Sequence, residues 1–117
     1  MSLIVTVDNP HAQEDEPDRK FMRPAGFESY RRELWGTSAI AARAPLLAKI
    51  ATDLHLKPEQ FAEFEAQCRK VDADADAVAA ELVWKEGGGE NIRRYMQNFL
   101  AALAFARMHG SEVIRIW

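Results

Sequence analysis

Short runs of β-branched residues occur at both ends of the chain. Residues 3–7 read Leu-Ile-Val-Thr-Val, and residues 113–117 read Val-Ile-Arg-Ile-Trp. Such runs favour a pleated, half-buried surface, so each predicts a β-strand. Because a strand of five or six residues is not stable alone in water, each one needs a partner, and the simplest partner is the other. The pattern predicts a two-stranded ribbon made from the N- and C-terminal strands.

Between these strands, apolar residues recur at the three- and four-residue spacing of amphipathic helices. The pattern predicts a helix over 27–35, a helical segment interrupted by Pro45, and a helix that begins at Pro58. A further helix is predicted after the aspartate-rich segment 72–76, and the longest over 90–109. The apolar faces of these helices supply the predicted core residues Phe61, Phe64, Leu82, Phe99, Leu100 and Leu103.

The predicted fold is therefore mainly α with a small β ribbon, an α+β arrangement of four to five helices packed on a two-stranded sheet. A chain of 117 residues with 48% apolar residues can bury one hydrophobic core, so we expect a single domain over 1–117. Residues 9–26 have no clear periodicity and include a turn signal at Asn9 and Pro10, followed by a proline-marked acidic stretch. This segment is predicted to be an acidic, exposed loop.

Charge and cysteine content exclude several classes of function. A net charge of −3 gives no general attraction to nucleic acid or to anionic membranes. No stretch approaches the ~20 apolar residues that a membrane span requires. The single cysteine, Cys68, has no partner for an internal disulfide, and the N-terminus lacks the features of a signal peptide. We expect a cytoplasmic protein with no nucleic-acid or membrane partner.

The aspartates at positions 72, 74 and 76 have the spacing that opens a calcium-binding loop. In such a loop the sixth position requires glycine and the twelfth a bidentate glutamate, but this chain has Ala77 and Val83 there. Helix capping explains the aspartates better, because carboxylates are favourable at helix N-termini. We therefore predict no metal site in this segment.

Other residue types that could carry chemistry also lack the required context. The glycines at 87–89 follow a helix and lack the Lys-Ser or Lys-Thr of a phosphate-binding loop, so they are predicted to connect two helices. None of the three histidines lies three or four residues from another histidine or from the cysteine, as zinc sites require, and Cys68 lies on an apolar helical stripe. The sequence therefore predicts no catalytic residue, no metal and no cofactor, and hence a protein that is not an enzyme.

Two groups of polar residues are candidate binding residues. They are Glu14, Asp15 and Glu16 in the acidic loop, and Asn91, Arg94 and Asn98 along the last helix. The loop group is either a solvated connector or a docking surface for a basic partner. The helix group forms a polar line between apolar or small faces. It either bonds to loop backbone or forms the polar floor of a binding groove.

Three segments carry a resemblance to known proteins: residues 27–37, the helix over 91–107 and the ending at 113–117. Together they resemble small bacterial proteins of unknown function, and some compact acidic proteins of this type are immunity proteins that neutralise a toxin. The resemblance implies a bacterial protein whose partner is another protein, such as a basic toxin. It assigns a role to no individual residue.

Two functional hypotheses follow. The first is a non-enzymatic protein-binding module, with an immunity or antitoxin-like role as its more specific form. The alternative is a small enzyme or small-ligand-binding protein with a pocket between the last helix and the terminal strands. A deep pocket with convergent polar groups favours the alternative, whereas a shallow surface with an exposed acidic or apolar patch favours the first. Because a short ribbon leaves open edges, we also expect a homodimer, joined by sheet extension or by helix faces.

Overall fold

Four antiparallel strands form one sheet, in the order β2-β1-β4-β3. The computed structural model describes residues 2–13, 15–17, 19–85 and 87–117. The strands are β1 (Ser2–Asp8), β2 (Lys20–Phe27), β3 (Leu54–Leu56) and β4 (Ile114–Ile116).

The terminal strands pair with each other, as predicted. Val5 of β1 lies opposite Ile116 of β4, and Ile4 exchanges both main-chain hydrogen bonds with Trp117, at N···O distances of 2.9 and 3.0 Å. The predicted sheet of two strands is nevertheless wrong, because β2 and β3 extend it on either side. The two terminal strands are therefore the centre of the sheet.

Strand β2 contains residues 20–26, so the prediction of a loop over 9–26 is wrong for this part. The sequence of β2 does not predict a strand, because Pro24 and Gly26 are both unfavourable in strand interiors. A bulge opposite Leu3 and Ile4 accommodates them, since the register between β1 and β2 shifts at this point. The described residues between β1 and β2 form turns and bends and are mostly exposed.

The helical layer consists of five α-helices within the described ranges, which confirms the α+β class. They are α1 (Ser38–Arg43), α2 (Pro45–Ala48), α3 (Phe61–Ala73), α4 (Ala75–Leu82) and α5 (Gly88–His109). A π-helical turn spans Arg31–Trp35, and short 3₁₀ segments span Lys49–Ala51 and Pro58–Gln60. The helix predicted over 27–35 is therefore replaced by the end of β2 and the π-helical turn.

Local sequence signals account for several helix ends. The Thr37 hydroxyl accepts a hydrogen bond from the Ile40 amide at 3.5 Å and so caps α1. Pro45 begins α2, where its missing N–H group has no cost. Gly110 ends α5 with a left-handed φ of 65°, a conformation that glycine adopts without steric penalty.

Helix α5 begins earlier than predicted, because Gly88 and Gly89 belong to it rather than to a connector. A Cβ atom at position 89 would lie 2.9 Å from the backbone N and Cα atoms of Asp76, which is closer than van der Waals contact allows. Glycine at this position therefore lets the first turn of α5 lie against the first turn of α4.

The core lies between the sheet and the helices, with Phe99 of α5 near its centre. Its ring centroid is 5.5 Å from that of Trp35 and 6.1 Å from that of Phe64. The prediction of core residues is confirmed for Phe61, Phe64, Phe99 and Leu103, which are all buried, whereas Leu82 and Leu100 are only partly buried against the core.

Replacing Phe99 with alanine is expected to reduce the free energy of unfolding by about 3–5 kcal/mol, because it removes a buried ring and leaves a cavity. Urea denaturation measures this loss. Met108→Ala is the matched control, since Met108 lies on the same helix and is 77% exposed; its effect should stay within about 0.5 kcal/mol. A loss below about 1 kcal/mol for Phe99→Ala would contradict the central position of this ring.

Candidate binding surface

One face of the sheet packs on α5, and the other is free of helices in the part of the chain that the structure describes. Leu3, Val5 and Val7 alternate along β1 and are buried. Side chains between them point to the opposite side, because successive strand residues alternate between the two faces. We call this side the outer face; its strand register brings together Ile4, Thr6, Asp8, Lys20, Met22, Pro24, His55, Arg115 and Trp117.

Two large apolar side chains are exposed on the outer face. Met22 is 50% exposed, and Trp117 is 49% exposed. The Trp117 indole N–H donates a hydrogen bond to the Thr6 hydroxyl at 3.2 Å, and Thr6 is buried. The indole is therefore held against the sheet while about half of it remains open to solvent.

The charged side chains of the outer face leave one cation without an ion pair. Lys20 and Asp8 lie 3.9 Å apart, so their charges offset each other. Arg115 is exposed and makes no ion pair with any described residue. Arg115 therefore contributes a positively charged side chain with no ion-pair partner among the described residues to this face, although the chain as a whole has a net charge of −3.

The open edge of β2 has few groups left for pairing with another strand. The main-chain N–H and C=O groups of Ile4 bond to β4, so those of the next residues in β1 point toward β2. Met22 and Pro24 lie opposite Thr6 and Ile4, and their main-chain groups therefore point away from β1, to the open edge. The Met22 carbonyl accepts a hydrogen bond from Arg23 at 3.1 Å, and the Pro24 carbonyl accepts one from Asn98 at 2.9 Å. Proline itself has no N–H group.

The opposite edge, β3, is only three residues long. Short edge strands and edge prolines both oppose edge-to-edge association. The expected homodimer stays a prediction, but the geometry of both edges argues against sheet extension as the way it would form.

The predicted loop group is acidic, unlike the outer face, and lies in the segment between β1 and β2. Asp15 and Glu16 are exposed and belong to no ion pair among the described residues, whereas Glu14 lies outside the described residues. Their role as a docking surface for a basic partner stays a prediction.

The predicted helix group divides into two. Asn91 and Arg94 line an open depression of about 400 Å³ together with the rings of Phe27, Tyr30 and Tyr95. Asn98 instead donates its side-chain hydrogen bond to the Pro24 carbonyl and so ties α5 to β2. Of the two roles predicted for this group, Asn98 therefore has the structural one, a hydrogen bond to main chain.

A second open depression, of about 420 Å³, adjoins the first and shares Phe27 and Tyr95 with it. It is lined mainly by apolar residues of β1 and β2, among them Leu3, Ile4 and Met22. The exposed Phe27 and Met22 were missed as surface residues from sequence, because recognising them required β2 to be recognised as a strand.

Among the described residues, Glu90, Asn91 and Arg94 line the first depression with Tyr30 and Tyr95, and neither depression is lined by a histidine or a cysteine. Burial raises the pKa of the Cys68 thiol, which is the opposite of the change that activates a nucleophile. Hydrogen bonds from Arg107 and Arg69 lower the pKa of Glu65, and bonds from Lys70 and Arg43 lower that of Asp74.

The two shifted carboxylates belong to ion pairs on the helical surface, and neither of them lines a depression. Among the described residues, no three or more histidine, cysteine, aspartate or glutamate side chains are grouped so that they could hold a metal ion.

The fold defines an α+β protein with helices on one face of a four-stranded antiparallel sheet and, within the described ranges, no helix on the other. Comparison with protein-family models, with curated proteins and with solved structures finds no match to this chain. None of the helices in the described ranges has the length and apolarity needed to cross a lipid bilayer. Its function must therefore be argued from the surface itself.

Asn98→Ala is expected to reduce the free energy of unfolding by about 1 kcal/mol, because the hydrogen bond from α5 to β2 is lost. Chemical denaturation measures the change. Arg94→Ala serves as the control, since the exposed Arg94 has no ion pair among the described residues, and its effect should stay within about 0.5 kcal/mol. Equal effects of the two substitutions would show that Asn98 does not hold β2.

Cys68 is expected to be unreactive toward a thiol-specific reagent in the native protein and reactive in denaturant, because the raised pKa and burial suppress the thiolate. The rate of colour development with a disulfide reagent measures this. Met108→Cys, which places a second thiol at an exposed position of α5, should add one fast-reacting group. Rapid native labelling without that substitution would contradict the buried position of Cys68.

Proposed function

We propose that this protein is a non-enzymatic binding module for another protein, and that the outer face of its sheet is the contact surface. The observation that carries the proposal is the pair of half-exposed apolar side chains, Met22 and Trp117, on a sheet face that no described helix covers. Tryptophan, methionine and arginine are enriched at protein interfaces, and Arg115 completes this set on the same face.

The arrangement of Trp117 supports the proposal in a second way. Its hydrogen bond to Thr6 and its main-chain pairing with Ile4 restrict the indole before any partner arrives. Binding through a side chain that is already ordered loses less conformational entropy than binding through a mobile one. An exposed but restricted aromatic side chain is therefore suited to contact a partner.

A toxin-neutralising role, as in immunity or antitoxin proteins of bacteria, is the more specific form of this proposal. The exposed Asp15 and Glu16 and the net charge of −3 support it, because an acidic surface attracts a basic toxin. In this form the acidic loop speeds association while the apolar outer face supplies the contact area.

Binding of a small ligand is the second candidate. It is supported by the position of Asn91 and Arg94 in the depression that adjoins the apolar depression of β1 and β2. Both depressions are open to solvent, whereas ligand sites bury most of the ligand surface. The depressions therefore favour contact with a protein surface over enclosure of a small molecule.

Photo-crosslinking in cells tests the protein-binding proposal. A photoreactive phenylalanine analogue at Met22 is expected to give a discrete higher-mass adduct, and the same analogue at Met108 is the control, because Met108 is also exposed but lies on a helix. Equal adducts at both positions, or none at position 22, would contradict the outer face as the contact surface.

A companion variant separates the loop from the sheet. Changing Asp15 and Glu16 to serine should leave the melting temperature nearly unaltered, because exposed charges contribute little to stability. If the partner is a basic toxin, the same change should slow association at low salt. An association rate of the purified proteins that is unchanged at every salt concentration would remove the loop from the interface.

A further inference from the structure

We infer that the partner presents a carboxylate to Arg115 and, beside it, an apolar side chain to Trp117 and Met22. This inference rests on the proposed function, and it specifies the chemistry of the partner at the same surface. Its basis is the combination of Arg115, which has no ion pair among the described residues, with two half-exposed apolar side chains on the same sheet face.

On the described part of the outer face, Arg115 favours contact with a negatively charged segment of the partner, which a basic toxin can also contain. Asp8 and Lys20 pair with each other, so Arg115 is the cation that remains among the described charged side chains of this face. In the strand register Arg115 lies between Thr6 and His55, and neither neighbour supplies a negative charge. A guanidinium group binds a carboxylate through two parallel hydrogen bonds, which gives the contact direction as well as strength.

The distance between the Arg115 and Trp117 side chains indicates how the contacting residues of the partner are spaced. Arg115 and Trp117 are two residues apart along the same strand direction, so their side chains emerge roughly 7 Å apart on one side. An extended segment that carries an acidic and a large apolar residue at positions i and i+2 has the same spacing. The expected recognition element is therefore a short acidic and apolar segment.

A second copy of this chain is a poorer occupant of the face. A two-fold axis through the face would bring the two Arg115 side chains near each other, and like charges at an interface are unfavourable. Four strands of this length span a projected area of roughly 400 Å², so a whole protomer would need contacts beyond the sheet to reach the ~800 Å² of accessible surface that each partner of a stable dimer buries. An area of this size suits a segment of a partner better than a whole protomer.

A random dodecapeptide display library, selected on the immobilised full chain, provides a probe that does not require the partner to be identified. Enriched peptides are expected to contain Asp or Glu two residues from an aromatic or large aliphatic residue. Synthetic copies of these peptides, labelled for fluorescence anisotropy, should lose at least tenfold in affinity for Arg115→Glu. The matched control is Arg32→Glu, the same charge change at an exposed arginine of the π-helical turn, and it should bind like the wild type.

Met22→Ser, which leaves Arg115 and the strand pairing in place, separates the two parts of the argument. Peptides that weaken with Met22→Ser but have no acidic preference and tolerate Arg115→Glu would overturn the inference and leave the proposed function standing. Peptides that tolerate both substitutions, or no enrichment at all, would overturn both.

Light scattering at micromolar concentration tests whether a second copy of this chain binds to the outer face. The expected result is a molecular mass that Met22→Asp does not change, whether the chain is a monomer or a homodimer joined by helix faces. A dimer that dissociates on Met22→Asp, with an unchanged circular dichroism spectrum, would show that a second copy occupies the face. This result would overturn the inference that an acidic segment of a partner binds there.

Discussion

The antiparallel pairing of β1 with β4 is the interaction on which the rest of the structure depends. It joins residues that are more than a hundred positions apart in the chain and places them at the centre of the sheet, so that β2 and β3 each add to a strand already paired. The connection from α5 is short: Gly110 ends the helix, and the Ser111 hydroxyl donates a hydrogen bond of 2.6 Å to the Asp8 carbonyl. This contact aligns the end of α5 with the end of β1.

The same pairing divides the molecule into two unlike faces. On the inner face, Trp35, Tyr95 and Phe99 form an aromatic cluster that fills the space between the sheet and the helices. The Trp35 indole also donates a hydrogen bond of 3.1 Å to the Ala25 carbonyl, so the core satisfies a polar group of the irregular strand β2. On the outer face no such layer exists among the described residues, and the exposed Met22 and Trp117 follow from that absence.

Several aspartates that resemble metal ligands in the sequence form ion pairs between helices instead. Asp74 pairs with Arg43 at 3.1 Å and with Lys70 at 3.0 Å, and Arg43 also contacts Glu81 at 3.3 Å. These contacts connect α1 with α3 and α4 on a partly exposed surface, where each ion pair contributes little to stability. Asp76 contacts Arg93 at 3.2 Å. The aspartates of this segment therefore hold ion pairs between helices, whereas the capping role predicted for them is wrong for Asp74, whose side chain makes no cap hydrogen bond at the start of α4.

The sequence by itself determined the elements whose signals are local: the terminal strands, the start of α2 at Pro45, and α5 with its end at Gly110. Caps, prolines and apolar periodicity act within a few residues, so they can be recognised without the fold. Only the tertiary structure decided β2 and the outer face. Pro24 and Gly26 weaken the local preference for a strand, and β2 exists because β1 pairs with it and because Asn98, 74 residues away, bonds to Pro24. The candidate surface likewise depends on register, since Met22 and Arg115 lie on either side of Thr6 only after β1 has paired with both neighbours.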